Sequence, residues 1–337
     1  MKIKLRFFKK FIPIASTILL LGLILFSWEV YFPVNSNSAE NIEFLVQKGE
    51  GDEEIAVRLK KQGIIKNNYF FNIYAIIFGN DSKLQAGKYS LSLAMTIPEI
   101  IKKFVSGDVI KQKITIVEGW DIKDIEKYFV DEKISSLEDF REALKKDYSG
   151  EFSFLKEKPS NVGIEGYLFP DTYNISLGTK ADDVVRLMLS NFNKKLNDGL
   201  RQQIVSQNKT IFEVITMASI IEKEVKTMDD KKIVSGILWK RLDVGMPLQV
   251  DATINYITNK NDSGATIKDT KIDSPYNTYK YKGLPKGPIS NPGMDSILAA
   301  IYPTKTKYWY YLSGFDGQTI FSETFAEHNM AVLKYLK

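Results

Sequence analysis

The sequence contains no cysteine and only one histidine, His328, among its 337 residues. The lack of cysteine excludes disulfide bonds, thiol nucleophiles, cysteine-ligated zinc and anchoring through a lipid-modified N-terminal cysteine. It is compatible with a compartment outside the cytoplasm. A single histidine excludes a histidine-rich metal site, and a Ser-His-Asp triad would have to use His328. We therefore expect no metal site built from cysteine or histidine.

The sequence also lacks a strong excess of charge of either sign. Its formal net charge is +5, and lysines and acidic residues are interspersed through the body of the chain. This distribution predicts a solvated surface of mixed charge rather than a nucleic-acid-binding stripe. The hydrophobic content of 44% and the charged content of 26% are typical of a folded globular protein. The length allows two or three domains.

The N-terminus has the composition of a membrane anchor. Residues 1–10 are basic, and the 18 residues from Phe11 to Trp28 carry no charge. A helix of that length spans roughly 27 Å, close to the hydrocarbon core of a bilayer. We expect a transmembrane anchor over residues 11–32, with the basic tail in the cytoplasm and the rest of the chain translocated. A cleaved signal peptide is the alternative, although Asn37-Ser38-Ala39 is a poor cleavage site.

Two folded regions are predicted after this anchor. Residues 33–41 have the polar composition of a linker. Residues 42–112 show the order strand, helix, helix, strand, which is that of a LysM-like module; a generic small α+β unit is the alternative. Residues 113–337 mix helical and strand signals, so the fold class is α+β. Residues 245–293 have the composition of a long loop, and such loops in compact domains commonly carry a site.

One apolar segment, "ITMASIIEKEV" (residues 215–225), carries two glutamates, Glu222 and Glu224. A capping box of Thr210 with Glu213 predicts that its helix begins there. At about 100° per residue, Glu222 lies inside the apolar stripe and Glu224 lies roughly 160° away. The stripe comprises Ile211, Val214, Ile215, Ala218, Ile221 and Val225. The pattern therefore predicts an ordinary solvated charge at Glu224 and a carboxyl group on the packing face at Glu222.

Two interpretations of Glu222 remain open from this geometry. A desolvated carboxyl group has a raised pKa, which a general acid needs near neutral pH. A buried glutamate paired with a lysine or a backbone amide is the other interpretation. The helical spacing distinguishes Glu222 but does not identify a reaction.

Five segments together resemble the endolytic murein transglycosylase family, also called YceG-like proteins. They occur in the family's order and are "EGYLFPDTY" (165–173), "ASIIEKE" (218–224), "LQVDATINY" (248–256), "SPYNTYKYKGLPKGPISNPG" (274–293) and "FSETFAEHN" (321–329). The resemblance extends from the N-terminal anchor to the C-terminus.

The resemblance implies an enzyme of the inner or plasma membrane with a single N-terminal span and its C-terminus outside. It implies internal cleavage of peptidoglycan glycan strands at the β-1,4 bond between N-acetylmuramic acid and N-acetylglucosamine, leaving 1,6-anhydromuramic ends. Glu222, the first acid of "EKE", would be general acid and then base. No metal or organic cofactor is implied. Peptidoglycan synthases, or proteins of the division or elongation machinery, are the protein partners to expect.

The other motifs imply residues that line a saccharide cleft. These are Glu165, Tyr167, Gln249, Asp251, Asn277 and Tyr279. Alternatives remain open for some of them. Asp251 could cap the helix that starts at Ala252, and the residues around Asn277 could serve only to form the turns of their loop. For His328 a structural hydrogen bond is favoured over catalysis.

Two rival functions remain open from the sequence. The first is a cell-wall-binding scaffold without activity, in which the LysM-like module and partner contacts matter most. The second is a hydrolytic muramidase, whose products would carry reducing ends rather than anhydro ends.

Overall fold

The computed structural model describes residues 2–260, 264–314 and 317–335. The chain divides into two compact units. The first comprises residues 1–113 with 174–178, and the second comprises residues 114–173 with 179–337. Helices and short antiparallel strands are mixed, which confirms the predicted α+β class.

The first unit contains four helices and a two-stranded sheet. Its elements are α1 (Lys2–Tyr31), β1 (Asn41–Val46), α2 (Asp52–Lys61), α3 (Asn68–Ile77), β2 (Gly87–Ser92) and α4 (Ile97–Ser106). The strands are antiparallel, with Asn41 opposite Ser92 and Val46 opposite Gly87. The order strand, helix, helix, strand is therefore observed. The likeness to LysM modules stays a prediction.

The core of this unit is formed by the apolar sides of its helices and strands. Phe44 of β1, Tyr89 of β2 and Phe104 of α4 are fully buried and in ring contact. Val30, near the end of α1, is also fully buried and belongs to the same core. Within the described residues, Pro13–Tyr31 of α1 is the stretch long and apolar enough to cross a membrane; a signal sequence meets the same criterion.

The second unit is mostly helical. Two strands, β3 (Lys111–Thr115) and β4 (Thr172–Ser176), are divided between the two units. The other elements of the second unit are α5 (Ile122–Asp131), α6 (Leu137–Lys145), α7 (Ala181–Lys195), α8 (Asp198–Ser206), α9 (Ile211–Glu224), α10 (Met228–Asp243), α11 (Asp251–Thr258), α12 (Met294–Ile301), β5 (Tyr310–Ser313), β6 (Thr319–Ser322) and α13 (Phe325–Tyr335). Short 3-10 helices cover Ser153–Glu157 and Asp269–Lys271. β3 pairs with β4, and the boundary between the units runs through both strands. β5 and β6 are antiparallel.

Helices α9, α10 and α12 pack on one another and form the centre of the second unit. The segment that follows α12 lies close to α10 at Gly236, where a Cβ atom would be 2.0 Å from the carbonyl oxygen of Thr304. The indole nitrogen of Trp239 in α10 donates to the carbonyl of Ala300 in α12 at 3.0 Å. The hydrogen bond of Trp239 joins α10 to α12.

Candidate active site

Helix α9 positions the two glutamates of "EKE". It begins after the capping box of Thr210 with Glu213, as predicted. The helix has no broad solvent-facing side, because nine of its fourteen residues are buried and they surround its axis. The buried residues are Ile211, Val214, Ile215, Thr216, Met217, Ala218, Ser219, Ile220 and Ile221. Side chains at its C-terminal end therefore enter the interior of the unit in more than one direction.

The carboxyl group of Glu222 is held in a buried ion pair. Its Oε1 lies 3.1 Å from Nζ of Lys231 in α10, and the exposed fractions of the two side chains are 9% and 5%. Its Oε2 accepts a hydrogen bond from the amide of Gly293 at 2.9 Å. Of the two interpretations that the sequence left open, this geometry matches the glutamate paired with a lysine and a backbone amide.

Glu224, the last residue of α9, lines a cavity. Its carboxyl group accepts hydrogen bonds from the hydroxyl of Tyr311 and the backbone amide of Ala252. Burial outweighs these bonds and raises the pKa of Glu224 to about 7. The prediction of a solvated helix charge at Glu224 is therefore wrong. A helical wheel separates a buried face from a solvated one, and α9 is surrounded by protein.

The cavity has a volume of about 1030 Å³ and lies within the second unit. Its walls come from α5, the end of α9, α10, α11, β5 and α13. Both aromatic and charged side chains line it. The aromatic lining residues are Tyr256, Tyr279, Tyr310, Tyr311 and Phe325, and the basic ones are Lys123, Lys127, Lys223, Arg241 and Lys260. Aromatic faces beside polar groups suit a ligand that has both apolar faces and hydroxyl or amide groups, and the volume is that of a ligand site.

Three of the predicted cleft residues line this cavity together with Glu224: Gln249, Asp251 and Tyr279. Gln249 has a φ of 53°, and its backbone N–H donates to the backbone carbonyl of Thr278 at 3.1 Å. Asp251 accepts a hydrogen bond from the hydroxyl of Tyr279. The other carboxylate oxygen of Asp251 accepts from the amide of Ala265 at 3.2 Å. Helix α11 begins at Asp251 itself, with no side-chain cap, so the capping interpretation of Asp251 is wrong.

Asn277 has a structural environment, which corrects its predicted place in the cleft. Its side chain is 1% exposed and lies outside the described lining of the cavity. Nδ2 donates to the carbonyls of Thr270 and Ile272 at 3.0 and 2.7 Å. Oδ1 accepts from the amides of Tyr279 and Lys280 at 2.9 and 3.2 Å. With four bonds the side-chain amide is fully used in holding the loop.

Tyr167 was predicted to line the cleft, but the structure places it in the core. It is fully buried, and its ring packs against those of Phe154 and Phe192 at centroid distances of 5.6 and 5.2 Å. Its hydroxyl is buried and has no hydrogen-bond partner among the described residues. The side chain therefore contributes apolar area to the interior and lies outside the described cavity lining.

Glu165 also lies outside the described lining and is 6% exposed. Its two carboxylate oxygens accept from the amide of Ile122 at 3.0 Å and from Nδ2 of Asn291 at 2.9 Å. Burial raises the pKa of Glu165 to about 8. Oδ1 of the same Asn291 accepts from the amides of Gly166 and Leu168, both at 3.0 Å. Hydrogen bonds through Asn291 therefore join the segment "EGYLFPDTY" to the segment "SNPG" (290–293), which is a structural role.

Arg241 is a site residue that the sequence analysis missed. It is 5% exposed, and its guanidinium donates to the carbonyl of Leu248 at 2.7 Å and twice to the carbonyl of Trp309, at 2.9 and 2.6 Å. It therefore joins the segment before Gln249 to strand β5. The sequence could have indicated that Arg241 is buried. It follows Val234 by seven residues and Leu238 by three, so it lies on the apolar face of α10.

His328 lines the cavity from α13. Its ring is stacked on that of Tyr310 at a centroid distance of 5.4 Å. Burial lowers the pKa of His328. Its Nδ1 is buried without a partner in the part of the chain that the structure describes, so the expected structural hydrogen bond is not seen at that atom. The described residues contain no group of three or more acidic or histidine side chains that could hold a metal ion.

A family model and two named relatives each match most of the chain. The sequence model of the YceG-like family matches residues 44–334. The protein named endolytic murein transglycosylase of Bacillus subtilis (strain 168) is 34% identical over 327 residues, which cover 94% of this chain and 90% of that protein. A protein of the same name from Streptococcus pneumoniae serotype 2 is 29% identical; 90% of this chain matches, over 60% of the pneumococcal protein's length.

A solved structure is similar to most of this chain. The crystal structure of a YceG-like protein from Listeria monocytogenes superposes with a TM-score of 0.59 at 32% sequence identity. The match covers 87% of this chain and 99% of that one. Since the family model covers far more than half of the chain, and since the Bacillus relative exceeds 30% identity, the chain belongs to the YceG-like family.

Proposed function

We propose that this chain is a lytic transglycosylase that cuts peptidoglycan glycan strands internally. The bond cut is the β-1,4 link between N-acetylmuramic acid and N-acetylglucosamine, and the product carries a 1,6-anhydromuramic end. The names of the relatives support the substrate and the reaction class. The observation that carries the proposal is the carboxyl group of Glu224 on the wall of a cavity of about 1030 Å³, where burial raises its pKa to about 7.

Glu224 is the best-placed residue for the proton transfers. In its protonated form it donates a proton to the glycosidic oxygen as the bond to the anomeric carbon breaks. As a carboxylate it then accepts the proton of the muramic 6-hydroxyl, which attacks the anomeric carbon and closes the anhydro ring. One carboxyl group serves both steps and ends protonated, as it began. This differs from the paired carboxylates of most glycoside hydrolases.

Glu222 is the rival for this role. The assignment of Glu222 from the family motif stays a prediction that no comparison tests. Against it stand the ion pair with Lys231 and the bond from Gly293, which occupy both carboxylate oxygens, and a position outside the described cavity lining. A general acid needs a carboxyl oxygen that reaches the leaving group, and both oxygens of Glu222 already have partners within the protein.

Substrate contacts are assigned to the residues that share the cavity with Glu224. Asp251 and Tyr279 are joined by a hydrogen bond, and Gln249 stands beside them. Amide, hydroxyl and carboxylate groups hydrogen-bond sugar hydroxyl and acetamido groups, and aromatic rings pack on apolar sugar faces. No metal or organic cofactor has a step in this mechanism.

The remaining assignments concern location and organisation. We propose that residues 11–32 anchor the enzyme in the inner or plasma membrane, with residues 1–10 in the cytoplasm and the C-terminus outside. A LysM-like module would occupy residues 42–112 and the catalytic domain residues 113–337. Support for the anchor is the apolar helix Pro13–Tyr31, and a cleaved signal sequence is the alternative. Peptidoglycan synthases or division or elongation proteins are the proposed protein partners.

The deciding experiment compares three proteins on purified glycan strands: the wild type, Glu224→Gln and Glu222→Gln, with products separated by mass spectrometry. We expect anhydromuropeptides from the wild type and a loss of about 10²- to 10⁴-fold in Glu224→Gln, since that is what general acid–base groups contribute. Glu222→Gln serves as the matched control on the same helix and should keep most of its activity when folded by circular dichroism.

Each other outcome points to a different conclusion. Full activity in Glu224→Gln together with an inactive, folded Glu222→Gln would return the role to Glu222. Products heavier by one water would show a hydrolytic muramidase. A wild type that binds strands but releases no fragments would support the scaffold.

A further inference from the structure

Helix α3 of the first unit exposes large apolar side chains and carries no charged residue between Asn67 and Asn80. The exposed fractions are 68% for Tyr69, 42% for Ile73, 66% for Ile76 and 64% for Ile77. A helix on a water-facing surface usually places polar and charged residues on its outer side. A contiguous exposed apolar patch commonly marks a surface that meets a protein or a membrane.

The four exposed residues form one face of α3. Their spacing of four, seven and eight residues from Tyr69 places them within a sector of about 100°. Phe71 and Ala75, on another side, are buried in the core of the unit. The exposed face is therefore not a core face that has lost its cover, because α3 already buries a separate set of residues.

A third side of α3 packs against the end of the apolar helix α1, inside the same unit. The ring of Phe70 lies 6.0 Å from that of Phe26, and the ring of Tyr74 lies 6.3 Å from that of Tyr31. Phe26 belongs to the stretch Pro13–Tyr31 that is long and apolar enough to cross a bilayer. Whatever surrounds α1 at the level of Phe26 therefore surrounds α3 beside it.

The residues at this level have the composition of a membrane–water interface. Trp28 on α1 is 56% exposed, and Nζ of Lys66, just before α3, lies 4.9 Å from the centre of its ring. Tryptophan and tyrosine are enriched at the depth of lipid headgroups, and lysine near a helix end reaches toward the headgroups. The exposed face of α3 contains Tyr69 and three isoleucines, an aromatic side chain of the headgroup level beside apolar ones that favour hydrocarbon.

We propose that α3 lies in the outer interfacial layer of the membrane, with Tyr69, Ile73, Ile76 and Ile77 in contact with lipid. The module is then held at the bilayer by two elements, the span of α1 and the apolar face of α3. The inference rests on the membrane anchor proposed above and goes beyond the catalytic proposal, which does not require it.

Lipid is favoured over a protein as the occupant because the face continues the lipid-facing surface of α1. Leu21, Leu23 and Leu25 of α1 are 61%, 56% and 52% exposed, and on α3 the face adjoins the side that packs on Phe26. A second copy of the chain or another membrane protein would instead bury these side chains against protein atoms.

The absence of cysteine from the sequence allows single-cysteine labelling of the full-length chain. Variants Ile76→Cys and Ile77→Cys are spin-labelled and reconstituted in vesicles of phosphatidylethanolamine and phosphatidylglycerol. Collision rates are measured with oxygen, which concentrates in lipid, and with a water-soluble nickel complex. The matched water control is Val57→Cys, 48% exposed on α2 beside Glu53 and Glu54. The matched lipid control is Leu21→Cys in α1.

We expect the ratio of oxygen to nickel collisions at residues 76 and 77 to be severalfold above that at Val57 and close to that at Leu21. A nickel-accessible label at residues 76 and 77 with a lipid-facing Leu21 would overturn the inference and leave the anchor standing. Labels shielded from both reagents would show a protein occupant and overturn it too. A water-accessible Leu21 would remove the anchor and the inference with it, and would leave the catalytic proposal untouched.

Discussion

Glu222 and Glu224 are two residues apart on α9, yet their carboxyl groups lie in different environments. That of Glu222 is 3.1 Å from the ammonium group of Lys231, whereas that of Glu224 meets the hydroxyl of Tyr311 on a cavity wall. Two residues correspond to about 200° of rotation on a helix, so the two acids point to opposite sides of α9. Glu222 faces α10, which supplies Lys231, and Glu224 faces the cavity.

The Glu222–Lys231 pair should contribute to stability rather than to chemistry. Removal of one partner from a buried ion pair leaves an uncompensated charge and costs about 3–5 kcal/mol. Lys231→Met should therefore lower the urea midpoint of the second unit strongly. The double variant Lys231→Met, Glu222→Gln should recover much of the loss, because no charge is then left unpaired. Equal midpoints for the single and double variants would contradict this explanation.

The pH dependence of the reaction should report Glu224. Since a general acid must be protonated, kcat/KM should fall as the pH rises through about 7, the pKa of Glu224. The hydroxyl of Tyr311 donates to the charged form and so holds this pKa down. Tyr311→Phe removes that donor, and the basic limb of the profile should move to higher pH.

The matched control for this shift is Tyr310→Phe, on the same strand. The ring of Tyr310 packs against Phe325 and His328. Its hydroxyl has no part in the proposed proton transfer, so the basic limb should stay in place. A limb that fails to move in Tyr311→Phe, or that moves equally in both variants, would show that the Tyr311 hydroxyl does not set the pKa.

Glu165 should make the stability of the second unit depend on pH. Its pKa is about 8 in the folded protein against 4.5 for the free side chain. Between these values the folded state holds a proton that the unfolded state has released. The contribution of Glu165 to stability should therefore be highest below about pH 4.5, decline as the pH rises toward 8 and level off above it. Glu165→Gln should flatten the decline in urea midpoints between pH 5 and 8, and an unchanged slope would contradict the assignment.

Local signals predicted most of the fold. The capping boxes at Thr96 and Thr210 marked the starts of α4 and α9, and Asp121 caps α5 as expected. Such caps act between residues three apart, so the sequence alone contains them. Residues 245–293 are predicted as largely loop with a helix that starts at Ala252, and the structure has that helix, α11, one residue earlier, from Asp251.

The site was harder to predict because distant segments build it. Helical spacing correctly placed Glu222 on a packing face. It could not identify the two groups that bind its carboxylate, because Lys231 lies on the next helix and Gly293 is 71 residues further along the chain. The wheel could not show that the opposite side of α9 would be covered by β5 and α11. Gln249 and Asp251 were placed in the cavity by a motif, and the same type of argument failed for Tyr167, whose ring fills the core.

Tyr167 and Tyr279 form a matched pair that tests which motif tyrosine contacts the substrate. The buried hydroxyl of Tyr167 has no partner among the described residues, so Tyr167→Phe should keep activity and raise stability by about 1 kcal/mol. Tyr279→Phe removes the donor to Asp251. Hydrogen bonds to charged groups contribute about 1.5–3 kcal/mol to stability, so Tyr279→Phe should lower stability by about that amount. It should also lower kcat/KM, because Asp251 is then no longer held in place on the cavity wall. Both are read from glycan-strand digestion and thermal unfolding. A loss of activity in a stably folded Tyr167→Phe, with Tyr279→Phe unaffected, would reverse the two assignments and place the saccharide against the core side of the "EGYLFPDTY" segment.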